Sequence, residues 1–323
     1  TMGEEWRRGW DPESIKPKKT DQKALVIGSG PSGLECTMQL ARRGYHVTLA
    51  EADNKLGGRV LFESGLKGLS AWKRVSDNRI YEIQQKNNIE IYKESELTLS
   101  HINELGINNI FLATGSSWRK DGVGRSRRKP VQGLESLQVL TPEEAIKQSP
   151  NLRGPIVVYD DEQGYLAGVI ADHLSFDEHE VIFITPASVV SPWTESTLEQ
   201  KRIQKALLVS GVNVICNKTI DKAEGSNLNL KCVFTGEISL LKCSSLVMVT
   251  ERIPNTTLYD QLVEQENNTE QGEAKHIQLI GDAESPGLIA DAVFLGHLAA
   301  QSFEEPEQEI QKAMFMREMP SLK

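Results

Sequence analysis

Short apolar runs alternate with longer amphipathic stretches along this chain. The runs have the length of buried strands, and the stretches between them repeat their apolar positions at the spacing of helices. In the first part of the chain the pattern predicts strands at residues 24–27, 46–50, 89–92 and 109–112, and helices at residues 34–44 and 72–85. Strands that alternate with helices in this way are typical of parallel sheets.

A second alternation begins at residue 154. It predicts strands at residues 155–159, 180–184 and 213–216, and helices at residues 165–174 and 198–210. The remaining apolar runs predict an antiparallel pair at residues 228–233 and 237–241, and two buried strands at residues 245–250 and 276–282. The pattern therefore predicts an α/β protein with two similar sheet units.

The first predicted strand runs directly into a glycine-rich turn that opens a helix. Gly28 allows a tight turn, Gly30 lets the backbone approach a pyrophosphate, and Gly33 lets the helix pack on the strand. The second strand ends at Glu51, at about the 20-residue distance where a carboxylate binds a ribose hydroxyl. This arrangement predicts a dinucleotide-type site, which also includes Ser29, Pro31 and Ser32.

The corresponding turn of the second alternation has a different charge. It contains three consecutive carboxylates, those of Asp160, Asp161 and Glu162, where the first turn has glycine and serine. These side chains are expected to point toward the place of a pyrophosphate, where like charges repel. The second unit is therefore expected to keep the fold without binding NAD(P).

The segment that begins at Gly281 again combines a strand end, a turn and the start of a helix. The pair Gly281 and Asp282 is suited to contacts with a phosphate or a ribityl chain. Alternatively, Asp282 or Ser285 caps the helix that follows. The sequence leaves both interpretations open, and it predicts only a packing or surface role for His297 on that helix.

Composition excludes several classes of function. The 323 residues carry a formal net charge of −9, which argues against binding of nucleic acid. No apolar run is long enough to cross a membrane, so we expect no membrane span and a cytoplasmic location. The spacing of the cysteines matches no metal site, so we expect no metal ligands and inert thiols at Cys36, Cys216, Cys232 and Cys243.

Seven segments together resemble the C-terminal half of the trimethylamine, dimethylamine and histamine dehydrogenases. They are residues 3–13, the turn at 28–33, and residues 56–58, 113–115, 159–161, 249–250 and 279–283. The resemblance implies two Rossmann-like, doubly wound domains of the FAD/NAD(P)-binding, glutathione reductase-like type. The related 2,4-dienoyl-CoA reductases share this plan and use FAD and NADPH.

The resemblance also implies what lies outside this chain. Members of that family carry an N-terminal barrel with FMN and a 4Fe-4S cluster, and they pass electrons to an electron-transferring flavoprotein. No cysteine precedes Cys36, so the cluster ligands and the barrel are expected to be absent here. We therefore expect no catalytic residue in this chain and no turnover by the isolated chain, which is part of an oxidoreductase.

By position, the resemblance implies an adenine-nucleotide site that holds ADP or FAD. In the amine dehydrogenases the corresponding nucleotide is ADP without a redox role, and the acidic second turn agrees with that branch, so ADP is favoured. The candidate cofactor-binding residues are Gly28, Ser29, Gly30, Pro31, Ser32, Gly33, Glu51, Ala52, Gly57, Gly58, Arg59, Ala113, Thr114, Gly115, Gly281 and Asp282.

The predicted domains follow from the same reasoning. They are an extended arm at residues 1–22, a discontinuous adenine-nucleotide domain at residues 23–150 and 245–310, an inserted NAD(P)-binding-like domain at residues 151–244, and a tail at residues 311–323. Two alternatives remain open: a stand-alone FAD-dependent NAD(P)H oxidoreductase module, and a structural domain with an empty site.

Overall fold

A computed structural model describes residues 15–177, 179–268 and 275–306 of the chain. Contacts between residues divide the chain into two compact units. The first unit comprises the residues up to Leu61, Ala71–Ser116 and the residues from Pro254 onward, and the second comprises Phe62–Ser70 and Ser117–Ile253. The predicted arm and tail lie largely outside the described residues.

The elements alternate between strand and helix as far as residue 112. They are β1 (Lys23–Ile27), α1 (Pro31–Arg43), β2 (His46–Ala50), α2 (Arg59–Glu63), α3 (Arg74–Gln84), β3 (Ile89–Tyr92), α4 (Leu99–Leu105) and β4 (Asn109–Leu112).

The next elements run from residue 116 to residue 254. They are β5 (Ser116–Trp118), β6 (Gln138–Leu140), α5 (Pro142–Lys147), β7 (Ile156–Asp160), α6 (Leu166–Phe176), β8 (Val181–Ile184), α7 (Gln200–Val209), β9 (Asn213–Ile215), β10 (Lys218–Glu224), β11 (Asn227–Cys232), β12 (Ile238–Lys242), β13 (Ser245–Val249) and β14 (Arg252–Pro254). The chain then forms α8 (Thr257–Asn267), β15 (His276–Leu279) and α9 (Ile289–Ser302).

The first unit is built on a five-stranded sheet in the order β15-β4-β1-β2-β3, and all of its pairings are parallel. Successive residues of β1 face opposite sides of this sheet, and both sides are buried. Val26 packs in a cluster with residues of α1 and α9, whereas Leu25 packs in a second cluster with residues of α4 and α8. The order reverses between β1 and β4, which is where ligands bind in such sheets.

Helix α1 follows β1 after a short turn and has clear end signals. Pro31 stands in its first turn, and Gly44 ends it with a φ of 99° and donates its N–H to the carbonyls of Leu40 and Ala41. These signals place the N-terminus of α1 directly at the end of β1.

The second unit repeats the parallel architecture with strands in the order β6-β13-β7-β8-β9. A separate three-stranded sheet, β10-β11-β12, is antiparallel. Ile220 and Leu230 of this small sheet join Val157 and Ile182 of the parallel sheet in one buried cluster. The α/β fold class with parallel sheets is thereby confirmed.

The division into units differs from the predicted domains. Residues 117–150 and 245–253 lie in the second unit, although the sequence analysis placed both with the first sheet. The reason is strand pairing, because β13 lies between β6 and β7 in parallel register. Residues 62–70 also belong to the second unit.

Several elements were not predicted. Strand β10 is largely polar, and only Ile220 and Ala223 of it are buried, so its sequence lacks a strong strand pattern. The helix predicted at 72–85 begins instead with a 3-10 turn at Ser70–Lys73 and continues as α3. The short helix α5 was missed, although Thr141 and Glu144 form a capping box at its start.

Candidate functional site

The turn after β1 is closely packed against the end of β4. Gly28 has a φ of 97°, and a Cβ atom there would lie 2.3 Å from the carbonyl oxygen of Ala113. A Cβ on Gly33 would lie 1.9 Å from the carbonyl oxygen of Gly28. Neither backbone atom can move aside easily, so only glycine fits at these two positions.

Gly30 differs from its two neighbours, because a Cβ there would meet nothing within 4 Å. It caps α1, and no side chain hydrogen-bonds to the cap or places a carboxylate in the first turn. The N-terminal amides and the positive end of the helix dipole therefore face a space that no acidic residue of the first turn fills. This is the arrangement that binds phosphate.

Glu51 lies directly after β2 and is buried, with 8% of its surface exposed. One carboxylate oxygen accepts the backbone N–H of Ser29 at 2.8 Å and its hydroxyl at 2.5 Å. The other oxygen accepts the N–H of Asp53 at 2.9 Å. The carboxylate is thus held against the glycine-rich turn, while the neighbouring Ala52 is exposed.

The second glycine turn, at Gly57 and Gly58, packs against the first. The N–H of Gly57 donates to the carbonyl oxygen of Ser29 at 3.0 Å. Both glycines have a positive φ, and a Cβ on Gly58 would lie 2.8 Å from the Cα of Gly30. The chain therefore enters Arg59 and α2 directly beside the N-terminus of α1.

The turn after β4 contains Ala113, Thr114 and Gly115. Thr114 and Asn255 are joined by two hydrogen bonds, from the Thr114 hydroxyl to the Asn255 carbonyl at 2.7 Å and from the Asn255 amide to the Thr114 carbonyl at 3.0 Å. Ser116 follows, and its hydroxyl donates to Asp282 at 2.9 Å. Ser116 and Asn255 were not among the predicted site residues, because neither belongs to a glycine motif.

Gly281 and Asp282 follow β15 on the same side of the sheet. A Cβ on Gly281 would lie 2.5 Å from the Cβ of Ser32 in the first turn of α1. Asp282 accepts the N–H of Gly287 at 3.1 Å and does not cap α9. That helix begins at Ile289, and Asp291 accepts the N–H of its cap residue Leu288, so the capping interpretation of Asp282 or Ser285 is wrong.

One polar atom of this region has no partner in the described structure. The hydroxyl oxygen of Ser32 is buried and makes no hydrogen bond, although it lies in the first turn of α1. An unpaired buried hydroxyl is unfavourable unless something hydrogen-bonds to it. Together with the open space at Gly30, it fits a site for the phosphates of a nucleotide.

All of the predicted site residues lie in the first unit. They flank the N-terminus of α1, with Glu51 on the β2 side and the turn after β4 on the other side, next to Asp282. The sequence segment 3–13 lies outside the described residues.

The turn after β7 in the second unit is built differently. Asp160 is fully buried, accepts the N–H of Gln163 at 2.7 Å, and leaves one oxygen without a partner in the described structure. This burial raises the pKa of Asp160 well above its usual range. The prediction that all three carboxylates point toward a pyrophosphate is therefore wrong for Asp160.

Asp161 is also buried, and a loop of the same unit lies against it. Its carboxylate accepts the backbone N–H of Ser126 at 2.9 Å. Burial raises the pKa of Asp161, whereas the hydrogen bonds from Ser126 and the nearby Arg125 oppose the rise. We call residues 124–127 the loop tip, since the N–H of Gly124 donates to the carbonyl of Arg127 at 2.9 Å and closes it.

The loop tip covers the switch point of the second sheet, where the strand order reverses between β7 and β13. A Cβ on Gly124 would lie 2.5 Å from the Asp161 carboxylate and 3.2 Å from the Cβ of Thr250, the residue after β13. Arg125 lies over the ring of Trp193 at 5.0 Å. A cationic segment of the chain thus lies where a dinucleotide would bind in this type of sheet.

The cysteines form no disulfide. Burial raises the pKa of Cys36 and Cys243, in agreement with inert thiols. Cys232 differs, because hydrogen bonds from Thr235 and from backbone amides lower its pKa to about 7. In the part of the chain that the structure describes, no group of His, Cys, Asp and Glu side chains could hold a metal ion.

No helix among residues 15–177, 179–268 and 275–306 is both long and apolar enough to span a membrane.

Comparisons with known proteins agree with this geometry. Dimethylamine dehydrogenase of Hyphomicrobium sp. (strain x) is 30% identical over 337 residues, which cover 97% of this chain and 46% of that protein. Histamine dehydrogenase from Rhizobium sp. 4-9 superimposes with a TM-score of 0.90 at 40% identity, over 94% of this chain and 47% of that one.

A third protein, 6-hydroxypseudooxynicotine amine oxidase from Pseudomonas geniculata N1, superimposes with a TM-score of 0.87 at 32% identity, over 94% of this chain and 45% of that one. The chain therefore spans about half the length of the relatives that it matches. The predicted resemblance to the C-terminal half of the dimethylamine and histamine dehydrogenases is confirmed.

The two parallel sheets and the glycine-rich turn at one switch point define the class of protein as the FAD/NAD(P)-binding flavoprotein oxidoreductases. Within that class, the sequence profile described as pyridine nucleotide-disulphide oxidoreductase matches residues 5–64 and 23–293. The chain belongs to the pyridine nucleotide-disulphide oxidoreductase family.

Proposed function

We propose that this chain is the adenine-nucleotide-binding C-terminal portion of an iron–sulfur flavoprotein amine dehydrogenase, and that its nucleotide is ADP without a redox role. The observation that carries the proposal is the contrast between the two switch points. The first offers free space at Gly30 beside a helix N-terminus, whereas the second is covered by the loop tip on Asp161.

Different residues of the first site are placed to bind different parts of ADP. Glu51, at the end of β2, is placed to accept the ribose hydroxyls, after exchanging its hydrogen bonds with Ser29. The amides that begin α1 and the Ser32 hydroxyl are placed to hold the phosphates. A bound ADP supplies no redox chemistry, so its contribution is to order the turns that surround it.

The second unit, on this proposal, binds no NAD(P). A dinucleotide would have to displace the loop tip and then meet the Asp161 carboxylate, which repels phosphate. Without a bound hydride donor, a flavin at the first site would have no partner in this chain. ADP is therefore favoured over FAD on functional grounds.

Replacing Asp161 with alanine is expected to release the loop tip. The variant loses the acceptor for the Ser126 N–H, a hydrogen bond to a charged group worth about 1.5–3 kcal/mol. The loop contains three trypsin sites, after Arg125, Arg127 and Arg128, whereas Pro130 blocks cleavage after Lys129. We expect cleavage there to become roughly tenfold faster or more, since proteolysis follows the open population.

Asp161→Asn is the matched control, because an amide oxygen still accepts the Ser126 N–H. Trypsin should cut this variant no faster than the wild type. Equal cleavage rates for the alanine variant and the wild type would show that Asp161 does not hold the loop. NADH titration of the wild-type chain saturated with ADP should give no saturable binding.

The rest of the proposal concerns the portion of the enzyme outside this chain. That portion holds FMN and the 4Fe-4S cluster in a barrel and carries the amine oxidation, and an electron-transferring flavoprotein is the acceptor. The support is the identity of 30–40% to dimethylamine and histamine dehydrogenases, of which the chain spans about half. A cytoplasmic location completes the proposal, consistent with four cysteines that form no disulfide.

The deciding experiment is identification of the nucleotide in an acid extract of the purified chain. We expect ADP in near-stoichiometric amount, a colourless protein and no amine-dependent dye reduction. FAD in the extract, bleached by NADH or NADPH, would support a stand-alone oxidoreductase module instead. An extract without nucleotide, from a protein that also fails to bind added ADP, would leave a structural domain and refute the proposal.

A further inference from the structure

Arg59 joins two separate turns of the first unit. Its guanidinium donates to the Asp282 carboxylate at 3.2 Å and to the Ser116 carbonyl at 2.7 Å, and the Ser116 hydroxyl donates to the same Asp282 oxygen at 2.9 Å. The Arg59 side chain is 20% exposed and that of Asp282 is 18% exposed. We call these three residues the Arg59 bridge.

The Arg59 bridge spans the N-terminus of α1. On one side, Gly58 packs against Gly30, so Arg59 starts beside the phosphate-binding turn. On the other side, Gly281 packs against Ser32, so Asp282 starts beside the first turn of the helix. The bridge therefore lies next to the place of the phosphates.

The order of the strands gives the site a direction. In β15-β4-β1-β2-β3, the ribose-binding Glu51 follows β2, whereas Ser116 lies beyond β4 and Asp282 beyond β15. A ligand with its adenosine at Glu51 crosses the turn after β1 and then continues toward β4. The Arg59 bridge stands on that second side, where a flavin arm would have to pass after the second phosphate.

We propose that Arg59 determines the nucleotide specificity of this site by favouring a ligand that ends at its second phosphate. This inference rests on the proposed function, because it assumes that adenosine lies at Glu51. A flavin arm must break the Arg59 bridge to reach Asp282, whereas ADP leaves it closed.

The charge of the second phosphate also favours ADP over FAD at Arg59. The terminal phosphate of ADP is joined only through its anhydride bond, so it carries more negative charge than the corresponding phosphate of FAD, which is also esterified to riboflavin. A guanidinium beside it forms strong, charge-assisted hydrogen bonds to phosphate oxygens. Arg59 thus stabilises ADP by attraction and disfavours FAD by blocking its path.

The test compares ADP and FAD binding to the nucleotide-free full chain by calorimetry, for the wild type and for Arg59→Met. The wild type is expected to bind ADP more tightly than FAD. Arg59→Met removes the guanidinium and keeps much of the side-chain volume, so ADP affinity should fall by about tenfold and the preference for ADP over FAD should shrink by at least that factor.

Arg42→Met is the matched control. Arg42 belongs to the same unit and is 22% exposed, close to the value for Arg59, but its ion pair is with Glu82 on α3. This variant should bind both nucleotides as the wild type does. Arg59→Lys keeps the charge without the planar fork, and should lie between the wild type and Arg59→Met.

The possible failures can be told apart. If the wild type binds neither nucleotide, the proposed function fails before the question of Arg59 arises. If the wild type prefers ADP and both Arg59 variants keep that preference unchanged, the proposed function stands and the inference is overturned. A wild type that prefers FAD also overturns it, and if Arg59→Met does not fold, the lysine variant decides.

Discussion

Gly33→Ala is expected to destabilise the first unit and abolish nucleotide binding. The new methyl carbon would lie 1.9 Å from the carbonyl oxygen of Gly28 and 3.1 Å from the Cβ of Ala113. Forced overpacking against backbone costs about 3 kcal/mol, which lowers the unfolding midpoint by roughly 10 °C. Thermal unfolding by circular dichroism, with and without ADP, measures both effects.

Gly30→Ala is the matched control, three positions away in the same turn. Its φ of −63° suits alanine, and the added methyl would meet nothing within 4 Å, so the unfolding midpoint without nucleotide should stay close to the wild-type value. Affinity for ADP should nevertheless fall by about a hundredfold, because the methyl occupies space that the phosphate needs.

The two variants therefore separate a packing glycine from a ligand glycine. If Gly33→Ala unfolds at the wild-type temperature, the contact between α1 and the turn is looser than the structure indicates. If Gly30→Ala binds ADP normally, phosphate does not approach the turn at that residue, and the site needs another geometry.

Strands that are buried on both faces have a clear sequence pattern and were predicted well. β1 and β7 are runs of apolar residues that lie in the middle of parallel sheets, so nearly every position is buried and its residue type indicates this. β6 and β10 are short or polar, and their place depends on pairing with distant strands. The assignment of β13 to the second sheet likewise depends on partners that its own sequence does not identify.

The residues of the candidate site also differ in whether the sequence could predict them. Gly28, Gly30 and Gly33 form a local motif whose backbone requirements can be read from neighbouring residues. The Arg59 bridge could not be predicted, because Arg59 and Asp282 are 223 positions apart and meet only when β15 and β4 are adjacent. The contact between the loop tip and Asp161 could not be predicted for the same reason, since Ser126 lies 35 positions before Asp161, which accepts its N–H.

Glu35→Ala is expected to be strongly destabilising, although Glu35 lies outside the nucleotide site. Glu35 of α1 is buried and holds three partners: Arg79 of α3 at 2.6 Å, His297 of α9 at 3.0 Å and Gln39 at 2.8 Å. A packing or surface role was predicted for His297. In the structure it makes a specific hydrogen bond between α9 and α1. Removing one member of a buried ion pair costs about 3 kcal/mol, because it leaves the other charge unpaired.

The stabilisation of the fold by Glu35 is expected to decrease as the pH falls. Burial alone would raise the pKa of Glu35, but the hydrogen bond from His297 and the charge of Arg79 outweigh it, so the pKa lies below the ordinary value of 4.5. A lowered folded-state pKa means that ionised Glu35 stabilises the fold above the unfolded-state pKa. This stabilisation is lost as the pH falls from about 4.5 through the folded-state pKa.

Urea unfolding between pH 7 and pH 3 tests this, with Glu104→Ala as the control. Glu104 is exposed on α4 and, among the described residues, hydrogen-bonds only to Ser100 at 3.2 Å, so its removal should change the free energy of unfolding by less than about 0.5 kcal/mol. The difference between the wild type and Glu35→Ala should be largest near pH 7 and should shrink in acid. A difference that stays constant with pH would mean that Glu35 contributes packing alone, and that α1, α3 and α9 are not joined by its charge.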